Sequence, residues 1–129
     1  MLAAHPQLKD RVLATGALAA EDVSHHLRAC TVMMQPYPDG VSSRRTSAVA
    51  ALAHGVPMVT TGGRLSDPVW RESQAVVLVP PDQGEALAEA VASLASNQTL
   101  QRDLSRRSLD LYESRFHVRH TIAALRAPA

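Results

Sequence analysis

Residues 31–63 constrain this chain more than any other stretch, because their punctuation admits one order of elements. Residues 31–34 are an apolar run suited to a strand buried on both faces. Pro36, Pro38, Asp39 and Gly40 then crowd into a turn. Ser42 and Ser43 are placed to cap a helix whose Ala48, Val49, Ala51 and Leu52 share one face. Gly55 ends that helix, and Pro57 bars its continuation. Residues 58–61 read as a second buried strand closing on Gly62 and Gly63. Strand, helix, parallel strand predicts a right-handed crossover. Its helix opens on Arg44 and Arg45, where backbone N–H groups have no intrahelical partner.

The flanks extend the same alternation. Residues 1–10 read as the tail of a helix, residues 11–15 as a short strand ending at Gly16, and residues 19–30 as a helix with Val23, Leu27 and Cys30 on one stripe. After the central unit, residues 65–73 form a loop or short helix, and residues 75–79 a further apolar strand. Asp82 with Glu85 gives a capping-box pattern for a helix to about Ser96, with Leu87, Val91 and Leu94 inward. Residues 97–115 predict a longer helix burying Leu100, Leu104 and Leu111, and residues 116–126 a last one with Val118, Ile122 and Leu125. The predicted class is α/β, with an open parallel sheet of about four strands flanked by helices and extra helices at the C-terminus.

Composition narrows the function classes. The 129 residues are 46% apolar and 19% charged, which supports one domain, residues 1–129, with a proper core. A net charge of +1 gives no electrostatic support for general nucleic-acid or membrane-surface binding. Cys30 is the only cysteine, so neither an internal disulfide nor a cysteine metal cluster can form, and no metal or cofactor is expected. No apolar run approaches the roughly 18 residues of a membrane span, and no leader is apparent, so a cytoplasmic location is expected.

Open α/β sheets bind ligands at the carboxyl ends of their strands. Three such ends are rich in Gly, Pro and hydroxyl groups: residues 16–18, 36–40 and 60–63. The segment Ser42, Ser43, Arg44, Arg45 is the sharpest chemical signal, since N–H groups, hydroxyls and guanidinium groups all donate to phosphate oxygens. The plain alternative is that the serines cap the helix and the arginines are solvated. Asp39 either accepts sugar hydroxyls or orients an arginine, or it simply belongs to a turn. Thr60 and Thr61 offer hydroxyls at a strand end but are also good strand formers. His25 and His26 are adjacent on a helix and point apart, which disfavours a two-histidine metal site. No Walker loop, dinucleotide fingerprint or Ser/His/Asp set is present, and catalytic residues are not identified.

The run Pro36-Tyr37-Pro38-Asp39-Gly40, followed by Ala53-His54-Gly55-Val56-Pro57-Met58-Val59-Thr60-Thr61, resembles the donor-binding domain of group 1 nucleotide-sugar glycosyltransferases. Val77-Leu78-Val79-Pro80-Pro81-Asp82, then Glu85-Ala86-Leu87-Ala88, is similar to that family's next step, and Tyr112 to Phe116 to its closing motif. Many members carry two glutamates eight positions apart here; Ser42 and Ala50 stand at those places, so the acidic grip on the donor is missing. Gly40, Ser42 or Ser43, Arg44 or Arg45, and Ser47 instead fit the subset with a Gly-x-Ser-x-Arg-x-x-Ser pattern.

The resemblance implies a Rossmann-like domain of a retaining, two-domain GT-B enzyme that binds a nucleotide-diphosphate sugar. The site it implies is Gly16, Pro36, Asp39, Gly40, Ser42, Ser43, Arg44, Arg45 and Ser47. It also implies a C-terminal part of the donor domain, inactive alone, with its first β-α units and the N-terminal acceptor domain elsewhere. Membrane association would then come only through the full-length enzyme. The sheet would keep an exposed edge that re-pairs or joins a homodimer. Two other readings compete: a non-catalytic α/β phosphate-binding module, and an assembly domain whose serines and arginines serve a partner.

Overall fold

The computed structural model describes residues 4–127. Its sheet has three parallel strands, β1 (Met33–Gln35), β2 (Met58–Thr61) and β3 (Val77–Val79), in the order β1-β2-β3. Met33 lies opposite Met58 in the first ladder, and Thr60 opposite Leu78 in the second. Six α-helices are described: α1 (Ala20–Ala29), α2 (Thr46–Ala53), α3 (Val69–Glu72), α4 (Gly84–Ser96), α5 (Gln98–Leu111) and α6 (Val118–Arg126). A π-helical turn, Tyr112–Phe116, joins α5 to α6. The α/β class and the open parallel sheet agree with the sequence reading.

The strand count does not. Residues 11–15 enter no ladder, and Leu13 is 83% exposed, so the sheet has three strands rather than four. An extended apolar stretch becomes a strand only when the tertiary fold lays it along a sheet edge, and propensity does not secure that placement. Near the N-terminus Pro6–Leu8 forms a single 3-10 turn in place of the α-helical tail expected over residues 1–10, whose first three residues lie outside the described ones. β1 is an edge strand, and Met34 at its middle is 53% exposed, although its sequence reads as buried on both faces.

β2 is buried throughout and separates two apolar clusters by its alternation. Met58 joins Val41, Leu52, Trp70, Ala75 and Leu111. Val59 joins Val79, Leu94 and Leu104, with Leu87, Val91 and Leu100 packed against them. The inward residues expected of α4 and α5 are therefore confirmed. α2 buries Ala48, Ala51 and Leu52, and full burial of a leucine such as Leu52 contributes roughly 1.5–3 kcal/mol. Gly55 ends α2 as expected: its φ is +63°, and a Cβ there would stand 2.9 Å from Ser105 Oγ. α5 runs along the amino ends of the strands, where Ser108 Oγ donates to Ala75 O at 3.0 Å and Arg107 Nη1 to Gln74 Oε1 at 3.0 Å. The opposite end of the sheet is left to loops.

Three local expectations fail. The N-cap of α2 is Arg45, with no side-chain cap, so Ser42 and Ser43 do not cap it and the two arginines precede the helix. The N-cap of α4 is Gln83, also without a side-chain cap, and Asp82, with a left-handed φ of +65°, lies one residue ahead of the capping position. Val118 and Leu125 of α6 are 58% and 81% exposed, so its apolar stripe faces no core. On α1, Leu27 packs against the Trp70 cluster, whereas Val23 and Cys30 are exposed.

Candidate functional site

β1 and β2 end side by side, and their loops are stitched together by short polar contacts. Thr60 Oγ1 donates to Gln35 O at 2.6 Å and Thr61 Oγ1 to Tyr37 O at 2.6 Å, while Tyr37 N donates to Thr61 Oγ1 at 2.8 Å. Both threonine hydroxyls are thereby consumed in joining the strand ends. Beyond them Val41 N donates to Thr61 O at 2.8 Å and Leu65 N to Asp39 O at 2.9 Å. Gly40, with φ +89°, and Gly63 pack backbone to backbone, and a Cβ on Gly63 would lie 2.6 Å from Asp39 O. Only glycine permits that approach.

Two acids complete the join. Asp39 Oδ1 accepts from Arg64 Nε at 2.8 Å, an ion pair between exposed side chains. Asp67 Oδ2 accepts the backbone N–H of Ser43 at 2.6 Å. Hydrogen bonds from Ser43, with a smaller contribution from the Arg44 charge, hold the Asp67 carboxyl below its ordinary value of 3.8 against a burial effect that raises it. The segment from Ser42 to Arg45 is itself a turn, closed by Arg45 N donating to Ser42 O at 3.0 Å.

Arg45 lies across the face of Tyr37, its Cζ 4.6 Å from the ring centroid, a contact contributing about 0.5–1 kcal/mol at an exposed site. Tyr37 is held in turn: its hydroxyl donates to Gln35 Oε1, and Ser47 Oγ lies 3.1 Å from that hydroxyl and donates to Gln35 Oε1 at 2.7 Å. Arg45 is thus kept beside the end of β1 instead of sweeping solvent. Among the described residues neither Arg44 nor Arg45 is ion-paired. Both stand just ahead of α2, whose first backbone N–H groups have no intrahelical partner.

Pro36, Asp39, Gly40, Ser42, Ser43, Arg44, Arg45 and Ser47 therefore occupy one connected loop-and-helix start at the carboxyl ends of β1 and β2. Gly16 does not join them, since its segment forms no strand and ends no ladder. The sequence reading passed over Gln35, Arg64 and Asp67 as participants. Asp67 precedes Pro68 and reads as an ordinary turn residue, and nothing in the order of residues shows that it reaches Ser43. A small cavity of about 190 Å³ lies at the carboxyl ends of the strands, lined by Pro36, Thr61, Pro80, Asp82, Gln83 and Leu87 among others. A larger cavity, about 640 Å³, lies at the other end of the sheet between α1 and α5, against Cys30, Pro57 and Arg102. It is remote from the loops of the candidate site.

Among the described residues no group of three His, Cys, Asp or Glu is placed to hold a metal ion, and no helix is long and apolar enough to cross a membrane. No curated protein matches the chain. The profile described as "Glycosyl transferases group 1" matches residues 1–97, a span that contains all three strands and both loops of the site. That match covers well over half of the sequence, and the chain belongs to the group 1 glycosyltransferases.

Proposed function

We propose that this chain is the donor-binding part of a retaining glycosyltransferase of the GT-B arrangement, gripping the diphosphate of a nucleotide sugar. The supporting observation is the pair of arginines that form no ion pair among the described residues, set between the end of β1 and the start of α2 with Arg45 steadied on Tyr37. Guanidinium groups and backbone N–H groups make charge-assisted bonds to phosphate, each contributing roughly 1.5–3 kcal/mol net. A few of them support binding on the order of millimolar to micromolar. Asp39, tied to Arg64 through one carboxylate oxygen, is available to accept sugar or ribose hydroxyls through its second. In this reading the isolated chain binds a donor without transferring the sugar, which requires the acceptor domain.

Titration of uridine and guanosine diphosphates by calorimetry, into the wild-type chain and the Arg44→Ala/Arg45→Ala variant, tests this. The expected loss in the variant is about tenfold or more, corresponding to at least one charge-assisted bond. Equal binding by the two proteins, or binding of uridine as tightly as its diphosphate, overturns the reading. The exposed stripe of α6 favours the assembly-domain alternative, in which neither nucleotide binds.

A further inference from the structure

The turn that carries the arginines is held from outside its own segment. Ser43 and Arg44 are exposed, and the helix behind them has no side-chain cap. A free turn would lose conformational freedom on gripping a ligand, and that loss would subtract from affinity. Here the loss has been taken in folding. The Ser43 N–H is fixed by Asp67, at 2.6 Å, from the loop after β2. That loop is itself locked by the Gly40–Gly63 backbone contact, by Leu65 N on Asp39 O, by Arg64 on Asp39 and by Ser66 Oγ accepting from Gly63 N at 3.0 Å.

We propose that Asp67 is a positioning residue for the donor phosphates, using its carboxylate oxygen to hold the turn from Ser42 to Arg45 so that Arg44 and Arg45 are aimed before ligand arrives. The inference rests on the donor-binding reading and adds a residue to it. A carboxylate beside a phosphate site is otherwise unfavourable, since like charges repel. Its presence is explained if the hydrogen bond matters more than the charge. Asparagine can supply the same acceptor without the charge, and alanine supplies neither.

Inorganic pyrophosphate is titrated into the wild-type chain and the Asp67→Ala, Asp67→Asn and Arg44→Ala/Arg45→Ala variants, with Tm measured for each and the Ser43 amide resonance followed by NMR. Asp67→Ala is expected to bind about five- to tenfold more weakly, the equivalent of one hydrogen bond, with the Ser43 amide shifted toward its solvent-exposed position. Asp67→Asn is expected to restore wild-type affinity or exceed it, because the acceptor remains and the repulsion is gone. Wild-type affinity in Asp67→Ala, alongside a loss in the arginine variant, overturns the role of Asp67 and leaves the donor site standing. No pyrophosphate binding by the wild type, or none lost in the arginine variant, overturns both. Should Asp67→Ala fail to fold, Asp67→Asn decides: affinity as wild type or better supports the hydrogen-bond role, and a five- to tenfold loss overturns it.

Discussion

At the scale of single residues, Asp67 shows how a surface acid becomes structural once a backbone N–H is aimed at it. Its folded-state pKa lies below the ordinary 3.8, chiefly through hydrogen bonding to Ser43. The unfolded chain therefore binds the proton more readily than the folded one. The resulting stability is complete above the unfolded value and is lost as pH falls through the folded value. Thermal melts should show the wild type losing a few degrees more than Asp67→Asn between about pH 4 and pH 2, and matching it in pH dependence at neutral pH. Asp103, held low by Arg106 and Arg107 on α5, follows the same direction and is present in both proteins, so the comparison isolates Asp67.

At the scale of elements, α1 and α2 differ in what holds them. α2 is wedged against the sheet by Ala48, Ala51 and Leu52, whereas α1 has no buried residue. Among the described residues α1 is attached through Leu27 packing and a polar bridge, in which Ser24 Oγ meets His54 Nε2 at 2.7 Å while His54 Nδ1 lies 2.8 Å from Ala50 O. With Nδ1 donating to the Ala50 carbonyl, Nε2 accepts from the serine, so the histidine links the end of α2 to the middle of α1. His54→Ala should cost about 1 kcal/mol and lower hydrogen-exchange protection in residues 20–29 far more than in β2. Uniform loss of protection across both elements would contradict this division. The elements read correctly from sequence, such as β2, α2, α4 and α5, are those whose periodicity coincides with a buried face. Those misread, residues 11–15 and the stripe of α6, have the right periodicity with nothing opposite them.

At the scale of the whole molecule, two apolar clusters sit on opposite faces of a sheet only three strands wide. β2 contributes to both, and α5 reaches from Leu104 in one to Leu111 in the other. Shared elements couple the clusters, so the chain should unfold as one unit. Trp70, the only tryptophan, reports on this: it is fully buried, lies 5.6 Å from Phe116 between ring centroids, and carries the one buried side-chain polar atom without a partner among the described residues. Leu104→Ala, in the cluster that lacks Trp70, should cost about 2–5 kcal/mol and move the urea midpoint of Trp70 fluorescence and of far-UV circular dichroism together. Separate midpoints would show that the clusters melt independently.

The sequence by itself determined the α/β class, the strand–helix–strand unit and its Gly55 stop, and the concentration of Pro36, Asp39, Gly40, Ser42, Ser43, Arg44, Arg45 and Ser47 in one segment. Those features rest on local chemistry: turn residues, apolar period and the backbone freedom of glycine. Only the tertiary structure decided that Thr60 and Thr61 join strands, that Arg64 crosses from the next loop to Asp39 and Asp67 to the arginine turn, and that Gly16 ends no strand of the sheet. Each of those outcomes depends on which residues distant in the chain the sheet brings within hydrogen-bond reach, and local propensity carries no information about such pairings.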